Sequence, residues 1–290
     1  MNSLSNMSIP PAEIGDDELA EISLILAMRR NFNMSVYKDK CMKRRVAIRM
    51  RATHCSDVSA YCCLLRGSET ELNLLQKALT IHVSQFFRNP GVYDFLRRDV
   101  VPALMASCRA SGRNALRVWC LGCASGEEPY SVAIMLCEHF WQDLEQVPVS
   151  ILATDIDDGI IDIARAAIYS EDRLKEVGSD LREKYFRREG EAYRLIPEIR
   201  NMVAFRQDDI MATDRYVACD AVFCRNTLIY FTRADQEKIL VGIADILPAD
   251  GILVLGKSES LVGEARRKFV AVNASERIYR RVVDERVATA

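Results

Sequence analysis

The sequence predicts an α/β protein in which a doubly wound, mostly parallel sheet follows a small all-helical N-terminal domain. From residue 115 onward, short apolar runs typical of buried strands alternate with helix patterns. Repeated strand–helix units of this length favour a parallel sheet with helices on both faces. Up to about residue 78 the pattern is helical instead. We therefore expect a helical domain over residues 1–78 and a sheet domain over residues 79–290.

Composition narrows the class of protein. The chain has 290 residues, 49% of them hydrophobic, with 39 basic and 41 acidic side chains and a net charge of −2. These values exclude a disordered chain and a global polycation for nucleic acid. Ten cysteines in a chain of this length favour free thiols in a reducing compartment, and the acidic start does not resemble a signal peptide. We expect a cytoplasmic monomer without membrane insertion, without a nucleic-acid partner and without a metal site.

Charge is distributed unevenly over the helical domain. Residues 1–28 carry five acids and no base, whereas residues 29–51 carry nine bases and one acid. Helices are expected from Asp16 or Asp17 to Met28, over Tyr37–Arg51, and over Glu69–Leu79. On the second helix, Met42, Val46 and Met50 form an apolar stripe with basic residues on both sides. This basic helix is either a solvated face or a docking surface for an acidic partner.

The sheet domain is predicted element by element. The expected strands are Leu116–Leu121, Val149–Thr154, Val203–Arg206, Ala221–Cys224, Ile252–Leu255, Phe269–Val272 and Arg277–Val283, the last two as a hairpin. The expected helices between them include Pro129–Trp141, Gly159–Ile168 and Arg233–Leu247. Residues 170–202 interrupt the alternation, and we interpret them as an inserted β-subdomain with a charged helix, Asp172–Phe186, and a hairpin.

The first strand runs into a glycine-containing turn, Gly122 to Gly126, and then into a helix. Small residues let the backbone approach a ligand closely. Glu127 and Glu128 beside the turn disfavour a phosphate and favour a ligand with cationic groups, such as the ammonium and sulfonium of S-adenosylmethionine. Asp155, at the end of the second strand, is placed to accept hydrogen bonds from ribose hydroxyls, and Asp157 is placed to cap the next helix. The Asp155 spacing by itself fits a nicotinamide cofactor equally well.

Two further patterns have competing interpretations. Cys120 and Cys123 imitate a thioredoxin-type redox pair, but they overlap the glycine turn, and we interpret both as structural thiols. No second cysteine pair or spaced histidine pair supports zinc. Arg225, Asn226 and Tyr230 follow a buried strand where the ligand crevice of a doubly wound sheet opens, which is typical of a site.

Several motifs together resemble the CheR family, the chemotaxis-receptor glutamate methyltransferases. The motifs, which cover about residues 75–265, are Leu79-Thr80 with Phe86-Phe87-Arg88, Gly126 to Ser131, Ala153 to Asp157, Phe223 to Asn226 with Ile229-Tyr230-Phe231, and Gly256 to Leu261. The resemblance implies a Rossmann-like class I S-adenosylmethionine methyltransferase sheet. It also implies methyl transfer to glutamates on the cytoplasmic helical bundle of methyl-accepting receptors, with S-adenosylhomocysteine as product.

The resemblance also implies roles for individual residues. The implied cofactor-binding residues are His82, Ser84, Arg88, Glu128, Asp155, Asp209, Ile210, Arg225 and Asn226. Arg88 and Tyr230 are the implied catalytic residues. His82 stands where the family usually has Asn, Ser84 where it has Thr, and Asp209 where Asn is common.

For the basic helix, the resemblance favours docking on an acidic receptor bundle. The docking residues it implies are Lys38, Arg44, Arg45, Arg49 and Arg51. The connection from Arg187 to Ala192 is short, which predicts absent or weak binding of a receptor tail peptide. Three other functions stay open: a methyltransferase with another acceptor, a non-catalytic module that binds the cofactor as a signal, and a nicotinamide oxidoreductase.

Overall fold

A computed structural model describes residues 14–30, 32–80 and 84–282. The chain forms two compact units. One comprises the chain up to residue 81 together with Tyr230–Thr232, and the other comprises residues 82–229 and 233–290. The short segment Tyr230–Thr232 therefore belongs to the N-terminal unit although it lies far along the chain.

Where three helices were predicted, the described residues of the N-terminal unit form four α-helices. They are α1 (Asp16–Arg30), α2 (Asp39–Ala52), α3 (Val58–Gly67) and α4 (Glu69–Leu79). The missed helix, α3, begins after Asp57, whose carboxylate accepts a hydrogen bond from the Ala60 amide, and Ser68 caps α4 in the same way through the Glu71 amide. A single capping serine separates α3 from α4, and no Gly-Pro or Asn-Gly signal marks that boundary in the sequence.

Helix α2 is amphipathic as predicted. Met42, Val46 and Met50 are all at most 3% exposed and form its inner stripe. The helix starts at Asp39 instead of Tyr37, because Tyr37 forms a β-bridge with Phe231 and stacks on its ring at 5.0 Å. Short 3₁₀ structure over Met34–Val36 precedes it.

The second unit is built on a seven-stranded sheet that confirms the predicted doubly wound fold. In chain order, the ten strands in the described part of the chain are β1 (Leu116–Leu121), β2 (Val149–Asp155), β3 (Ile168–Ser170), β4 (Phe186–Glu189), β5 (Ala192–Leu195), β6 (Val203–Gln207), β7 (Ala221–Cys224), β8 (Ile252–Leu255), β9 (Phe269–Asn273) and β10 (Ile278–Arg281). The sheet order is β6-β2-β1-β7-β8-β10-β9. Its first five strands are parallel, and β10 is antiparallel to β8 and β9.

The order of the strands determines where a ligand crevice can form. The chain moves outward from β1 to β2 and β6, then returns to place β7 on the other side of β1. Loops that leave β1 and β7 therefore run in opposite directions and open a crevice at the carboxyl ends of the strands. All seven predicted sheet strands are present among the described residues, with ends that differ by at most two residues, and Val283, the predicted end of the last strand, lies outside those residues.

Eight α-helices accompany the two sheets in the described part of this unit. They are α5 (Pro90–Phe95), α6 (Val101–Ala110), α7 (Glu127–Gln146), α8 (Asp158–Ala166), α9 (Ser179–Tyr185), α10 (Pro197–Arg200), α11 (Arg233–Ile246) and α12 (Ala265–Lys268). A π-helical turn, Leu96–Val100, joins α5 to α6. Helix α7 extends beyond the predicted end at Trp141 because it continues across a kink at Phe140, where φ is −135° and ψ is 22°.

The inserted segment differs from the prediction in its helix. The charged stretch Asp172–Phe186 is not one helix: a 3₁₀ turn, Glu171–Leu174, is followed by a break and then by α9. Gly178 ends the break, and Phe186 already belongs to β4, where its ring contacts Phe86 edge-to-face at 5.2 Å. Strands β4 and β5 form the predicted hairpin, and β3, which was not predicted, completes an antiparallel sheet of order β3-β5-β4.

Three properties of the described residues bear on function. No helix among them is long and apolar enough to cross a bilayer. The ten cysteines, all within the described ranges, are free thiols. Within those same ranges, no group of three or more His, Cys, Asp and Glu side chains is arranged to hold a metal ion.

Candidate active site

The turn after β1 has a backbone that requires small residues. Gly122, Ala124 and Gly126 all have positive φ, at 68°, 48° and 90°. A Cβ on Gly122 would lie 2.5 Å from the Thr227 side-chain oxygen. The Asp155 carboxylate accepts a hydrogen bond from the Ala124 amide at 3.0 Å, which supports the strained residue of the turn. Gly122 therefore lets the turn after β1 pass close to the loop after β7, as a ligand-binding turn needs.

The two acids after this turn have different environments. Glu127 is fully buried, accepts hydrogen bonds from the Ser125 hydroxyl at 2.8 and 2.9 Å, and lies 3.3 Å from the Arg173 guanidinium. The prediction that both acids attract a cationic ligand is wrong for Glu127, because its side chain is fully buried. Glu128 also has an internal cation, but its side chain is 13% exposed, so the electrostatic argument for a cationic ligand applies to Glu128.

Glu128 forms an ion pair with Arg225 at 3.1 Å. The Arg225 side chain is 2% exposed, and its other terminal nitrogen donates to the Arg88 carbonyl at 2.8 Å and to the Asn89 amide oxygen at 3.0 Å. Burial raises the pKa of Glu128, although the Arg225 charge acts in the opposite direction. Arg225 thus ties the segment around Arg88 to the helix after the glycine turn.

The carboxyl ends of β2 and β6 supply the next group of predicted residues. Asp155 is 8% exposed, and its backbone oxygen accepts a hydrogen bond from the Asp208 amide at 2.9 Å. Asp209 is exposed in the loop that follows, with its carboxylate held by the Met211 amide at 2.8 Å. The Ile210 carbonyl accepts from the Tyr216 hydroxyl at 2.6 Å. The structure therefore brings Asp155 and the Asp209–Ile210 pair to neighbouring strand ends.

Asp157 has the structural role that was predicted for it. Its carboxylate accepts a hydrogen bond from the Ile160 amide at 3.2 Å, at the start of α8. This contact is a typical N-cap, and it leaves Asp155 as the acid of the strand end.

The loop after β7 is organised by Glu259, a residue of the Gly256 to Leu261 motif for which the sequence predicted no role. Asn226 has a left-handed backbone, with φ of 59°. The Glu259 carboxylate, 4% exposed, accepts hydrogen bonds from the amides of Asn226 at 2.9 Å, Gly256 at 2.6 Å and Ile229 at 3.3 Å. A Cβ on Gly256 would lie 2.7 Å from that carboxylate. Glu259 could have been suspected as an acid a few residues beyond an apolar strand, but no sequence pattern names its partners.

Of the remaining predicted site residues, those that the structure describes belong to different units. Ser84 and Arg88 are half-buried in the sheet unit, and His82 lies outside the described residues. Tyr230 belongs to the N-terminal unit, where its carbonyl accepts a hydrogen bond from the Lys38 amide at 2.9 Å. The Tyr230 phenol also lies near Arg45, whose pKa is lowered by burial and partly restored by that phenol.

The predicted docking residues on α2 divide into two groups. Arg49 forms a bidentate contact with the buried Glu71, at 3.0 and 2.5 Å, and Tyr61 donates to the same carboxylate at 2.7 Å. Arg45 donates to the Ala78 carbonyl. These two arginines therefore do not form part of an exposed docking face, because their guanidinium groups satisfy acceptors inside the unit. Lys38, Arg44 and Arg51 are exposed.

The cysteine pair does not fit redox chemistry. Cys120 is fully buried and Cys123 is 2% exposed. Burial raises the pKa of both thiols well above the ordinary value, which disfavours the thiolate that disulfide exchange requires. Both are structural thiols, as predicted.

Comparison with known proteins agrees with this arrangement. The family model for the CheR methyltransferase SAM-binding domain matches residues 82–278, and that for the CheR methyltransferase all-alpha domain matches residues 17–80. A chemotaxis protein methyltransferase of Listeria innocua is 32% identical over 83% of this chain and 89% of its own length. Chemotaxis protein methyltransferase 2 of Vibrio cholerae is 35% identical over 75% of this chain and 76% of its own.

A third relative is much longer than this chain. It is an uncharacterized 104.1 kDa protein of Rhodobacter capsulatus, 32% identical over 93% of this chain, and the match spans 28% of that protein's length. The two family models match in the order in which the all-alpha unit and the sheet unit occur along the chain. The chain belongs to the CheR methyltransferase family, with an all-alpha domain followed by an S-adenosylmethionine-binding domain of Rossmann-like class I fold.

Proposed function

We propose that this protein transfers the methyl group of S-adenosylmethionine to glutamate carboxylates on the cytoplasmic helices of methyl-accepting chemotaxis receptors. The observation that carries the proposal is the match to both family domains, together with the convergence of the motif-bearing loops at the carboxyl ends of β1, β2, β6 and β7. Glutamate methyl esters formed in this way would serve sensory adaptation.

The residues at these strand ends fit the proposed cofactor. Glu128 is an acid suited to the ammonium or sulfonium charge, and Asp155 is a carboxylate at the strand end where nucleotide folds accept ribose hydroxyls. The glycine turn leaves its backbone close to the ligand crevice. Ser84, Asp209, Ile210 and Asn226 would complete the contacts, and Arg225 would hold Glu128 and the Arg88 segment in place.

The reaction depends on aligning the substrate carboxylate with the methyl donor more than on acid–base catalysis. A glutamate side chain has a pKa of about 4.3, so at neutral pH it is already the nucleophile. When bound, S-adenosylmethionine supplies an activated methyl group on a cationic sulfur. The Arg88 guanidinium would hold one oxygen of the substrate carboxylate while the other attacks, and the Tyr230 hydroxyl would orient the reacting centre. Both residues would also help to exclude water.

Docking of the receptor is proposed for the exposed face of α2. Lys40, Arg44, Ile48 and Arg51 follow a helical spacing, and all four are exposed, Ile48 at 47%. Lys38 precedes them at the start of the helix. Opposite charge on an acidic helical bundle would raise the association rate and favour one register, while Ile48 would add an apolar contact.

Tail-peptide binding is proposed to be absent or weak. The β4–β5 connection consists of Gly190 and Glu191 alone, with Gly190 at a φ of 63°. Such a tight turn offers little surface beyond the two strands. Titration of receptor tail peptides into the protein would give no measurable heat, and tight binding would refute this part of the proposal.

The test of the proposed function is transfer of labelled methyl from S-adenosylmethionine to receptor cytoplasmic fragments, followed by alkaline hydrolysis. Label released as methanol would identify a carboxyl methyl ester. The Arg88→Ala variant serves as control and should lose transfer while keeping its far-ultraviolet spectrum. No transfer to receptor fragments, with calorimetry still showing cofactor binding, would point to a different acceptor and reject the receptor assignment.

A further inference from the structure

The segment that carries Ser84 and Arg88, residues 84–89, is held on several sides, and we call it the cofactor strap. Its Phe87 amide donates to the Ser131 hydroxyl at 2.9 Å, and its Arg88 carbonyl accepts from Arg225. In the first half of the strap, Ser84 and Phe86 both contact Arg173, a residue of the inserted segment. That residue was not identified by any sequence motif.

Arg173 contacts the cofactor strap twice. Its guanidinium donates to the Ser84 carbonyl, and its own carbonyl accepts a hydrogen bond from the Phe86 amide at 3.3 Å. The same guanidinium nitrogen lies 3.3 Å from the buried carboxylate of Glu127, directly after the glycine turn. One side chain therefore connects the strap to the turn.

The inserted segment supports this connection with aromatic packing. Phe86 is fully buried and meets Tyr169 and Phe186 edge-to-face, with centroid distances of 4.8 and 5.2 Å. The Tyr169 hydroxyl donates to the Ser125 carbonyl of the glycine turn at 2.7 Å. Both the strap and the turn thus pack on the insertion, so the backbone position of Ser84 depends on where the insertion places Arg173.

We propose that Arg173 is a positioning residue for cofactor binding: it fixes the strap against the glycine turn and thereby sets the affinity for S-adenosylmethionine. The inference rests on the proposed function, because it takes Ser84 and Arg88 to be cofactor contacts. A guanidinium suits this role because its planar geometry fixes the directions of the N–H donors on the nitrogen that faces both the Ser84 carbonyl and the Glu127 carboxylate, whereas the three donors of an ammonium rotate freely.

Arg173 also neutralises Glu127, and the two roles must be separated. Removing Arg173 alone would leave a fully buried carboxylate without its cation, which destabilises a protein whatever else the arginine does. The double variant R173Q/E127Q removes that charge as well, while the amide oxygen of the introduced side chain can still accept the hydrogen bond of Ser125. A purely neutralising Arg173 would be dispensable in this double variant.

The experiment measures the Kd of S-adenosylhomocysteine by calorimetry, the kinetics with a receptor fragment, and the thermal midpoint, all on the full chain. Variants are R173Q, R173K and R173Q/E127Q. The matched control is R182Q, which removes another insertion arginine whose guanidinium contacts Glu171 and the Leu174 carbonyl, both outside the strap.

We expect R173Q/E127Q to recover the thermal midpoint lost in R173Q but to keep a Kd raised about tenfold, equivalent to ~1.4 kcal/mol. R173K should recover stability better than affinity, kcat at saturating cofactor should change little, and R182Q should bind normally. Recovery of affinity together with stability in the double variant, or an equal loss in R182Q, would overturn the inference. A wild-type chain that binds no cofactor would instead reject the proposed function itself.

Discussion

Glu259 is the residue whose contacts most directly order the loop that carries Asn226. Its carboxylate accepts hydrogen bonds from three backbone amides, and it is almost completely buried. A glutamine has the same shape but places an N–H donor where one oxygen now accepts, so at least one buried amide would lose its partner. That loss typically costs about 1–3 kcal/mol.

For Glu259→Gln we therefore expect a lower free energy of unfolding by about 1–3 kcal/mol and weaker cofactor binding, measured by urea denaturation and calorimetry. The control is Glu237→Gln, because the Glu237 carboxylate accepts a hydrogen bond from the Glu264 amide at an exposed position. Unchanged binding in Glu259→Gln would show that Asn226 does not depend on this carboxylate.

Glu128 leads to a prediction about pH. Burial raises the pKa of Glu128 in the free protein, and a cationic ligand favours its ionised form. As the pH falls through that raised pKa, Glu128 of the free protein takes up a proton, and binding of the cationic cofactor must release it. Affinity for S-adenosylmethionine should therefore fall at a higher pH than the one at which an ordinary glutamate titrates. Calorimetry in buffers of different ionisation enthalpy should detect proton release at mildly acidic pH. An affinity that stays constant from pH 8 to pH 5 would contradict a contact between Glu128 and the cofactor.

At the scale of a single element, α2 combines a structural side with an exposed basic side. Arg49 belongs to the first side, through its contact with Glu71 and Tyr61. Arg44 and Arg51 belong to the second and are exposed. Substitutions on the two sides should therefore have different consequences, although the residues are close in sequence and carry the same charge.

We expect R44E/R51E to raise the KM for receptor fragments about tenfold or more at low salt, since each surface charge pair contributes up to ~1 kcal/mol, and reversal adds repulsion. The effect should shrink as salt screens the charges. Cofactor affinity should be unchanged. The matched control is R215E/R267E, which makes the same charge change at exposed positions of the sheet unit.

Arg49→Glu tests the other side of the helix. It would place a second carboxylate against the buried Glu71, so we expect a loss of about 3–5 kcal/mol in the free energy of unfolding, measured by urea denaturation. If R49E stayed folded and only weakened receptor use, Arg49 would be a docking residue after all. If R215E/R267E raised the KM as much as R44E/R51E, the α2 face would have no special role.

Across the whole molecule, periodic patterns were predictable and side-chain partners were not. The strand Ala221–Cys224 was predicted to the residue because a short apolar run between polar segments is typical of a buried parallel strand. The charged stretch Asp172–Phe186 was mispredicted because local helix propensity could not anticipate that Phe186 would join a strand and pack on Phe86. Arg173, Glu259 and the inward contacts of Arg49 depend on residues tens of positions away, which one sequence does not reveal.

The balance of carboxyl groups over the whole molecule predicts how its stability depends on pH. Hydrogen bonds to basic or backbone groups lower the pKa of several carboxyls, namely Asp16, Asp57, Glu69, Glu138 and Glu189. These groups contribute stability at pH values above their ordinary pKa values near 4. That contribution is lost as the pH falls through their lowered pKa values. Burial instead raises the pKa of Glu128 and Glu259, so their protonation favours the folded state as the pH falls from neutral.

The two sets act in different pH ranges, so their sum has a maximum. As the pH falls from 8, protonation of Glu128 and Glu259 should raise the free energy of unfolding. This rise should continue until the pH approaches 4.5, the ordinary pKa of a glutamate. Below that pH, protonation of the paired carboxyls should lower the free energy of unfolding. Urea denaturation of the cofactor-free protein at closely spaced pH values should therefore give a maximum on the acidic side of neutrality, and Glu259→Gln should flatten the rise while leaving the acid fall. If the free energy of unfolding instead declined steadily from pH 8 to pH 4, the prediction would be wrong. The hydrogen bonds of the buried carboxylates would then stabilise their ionised form more than burial destabilises it.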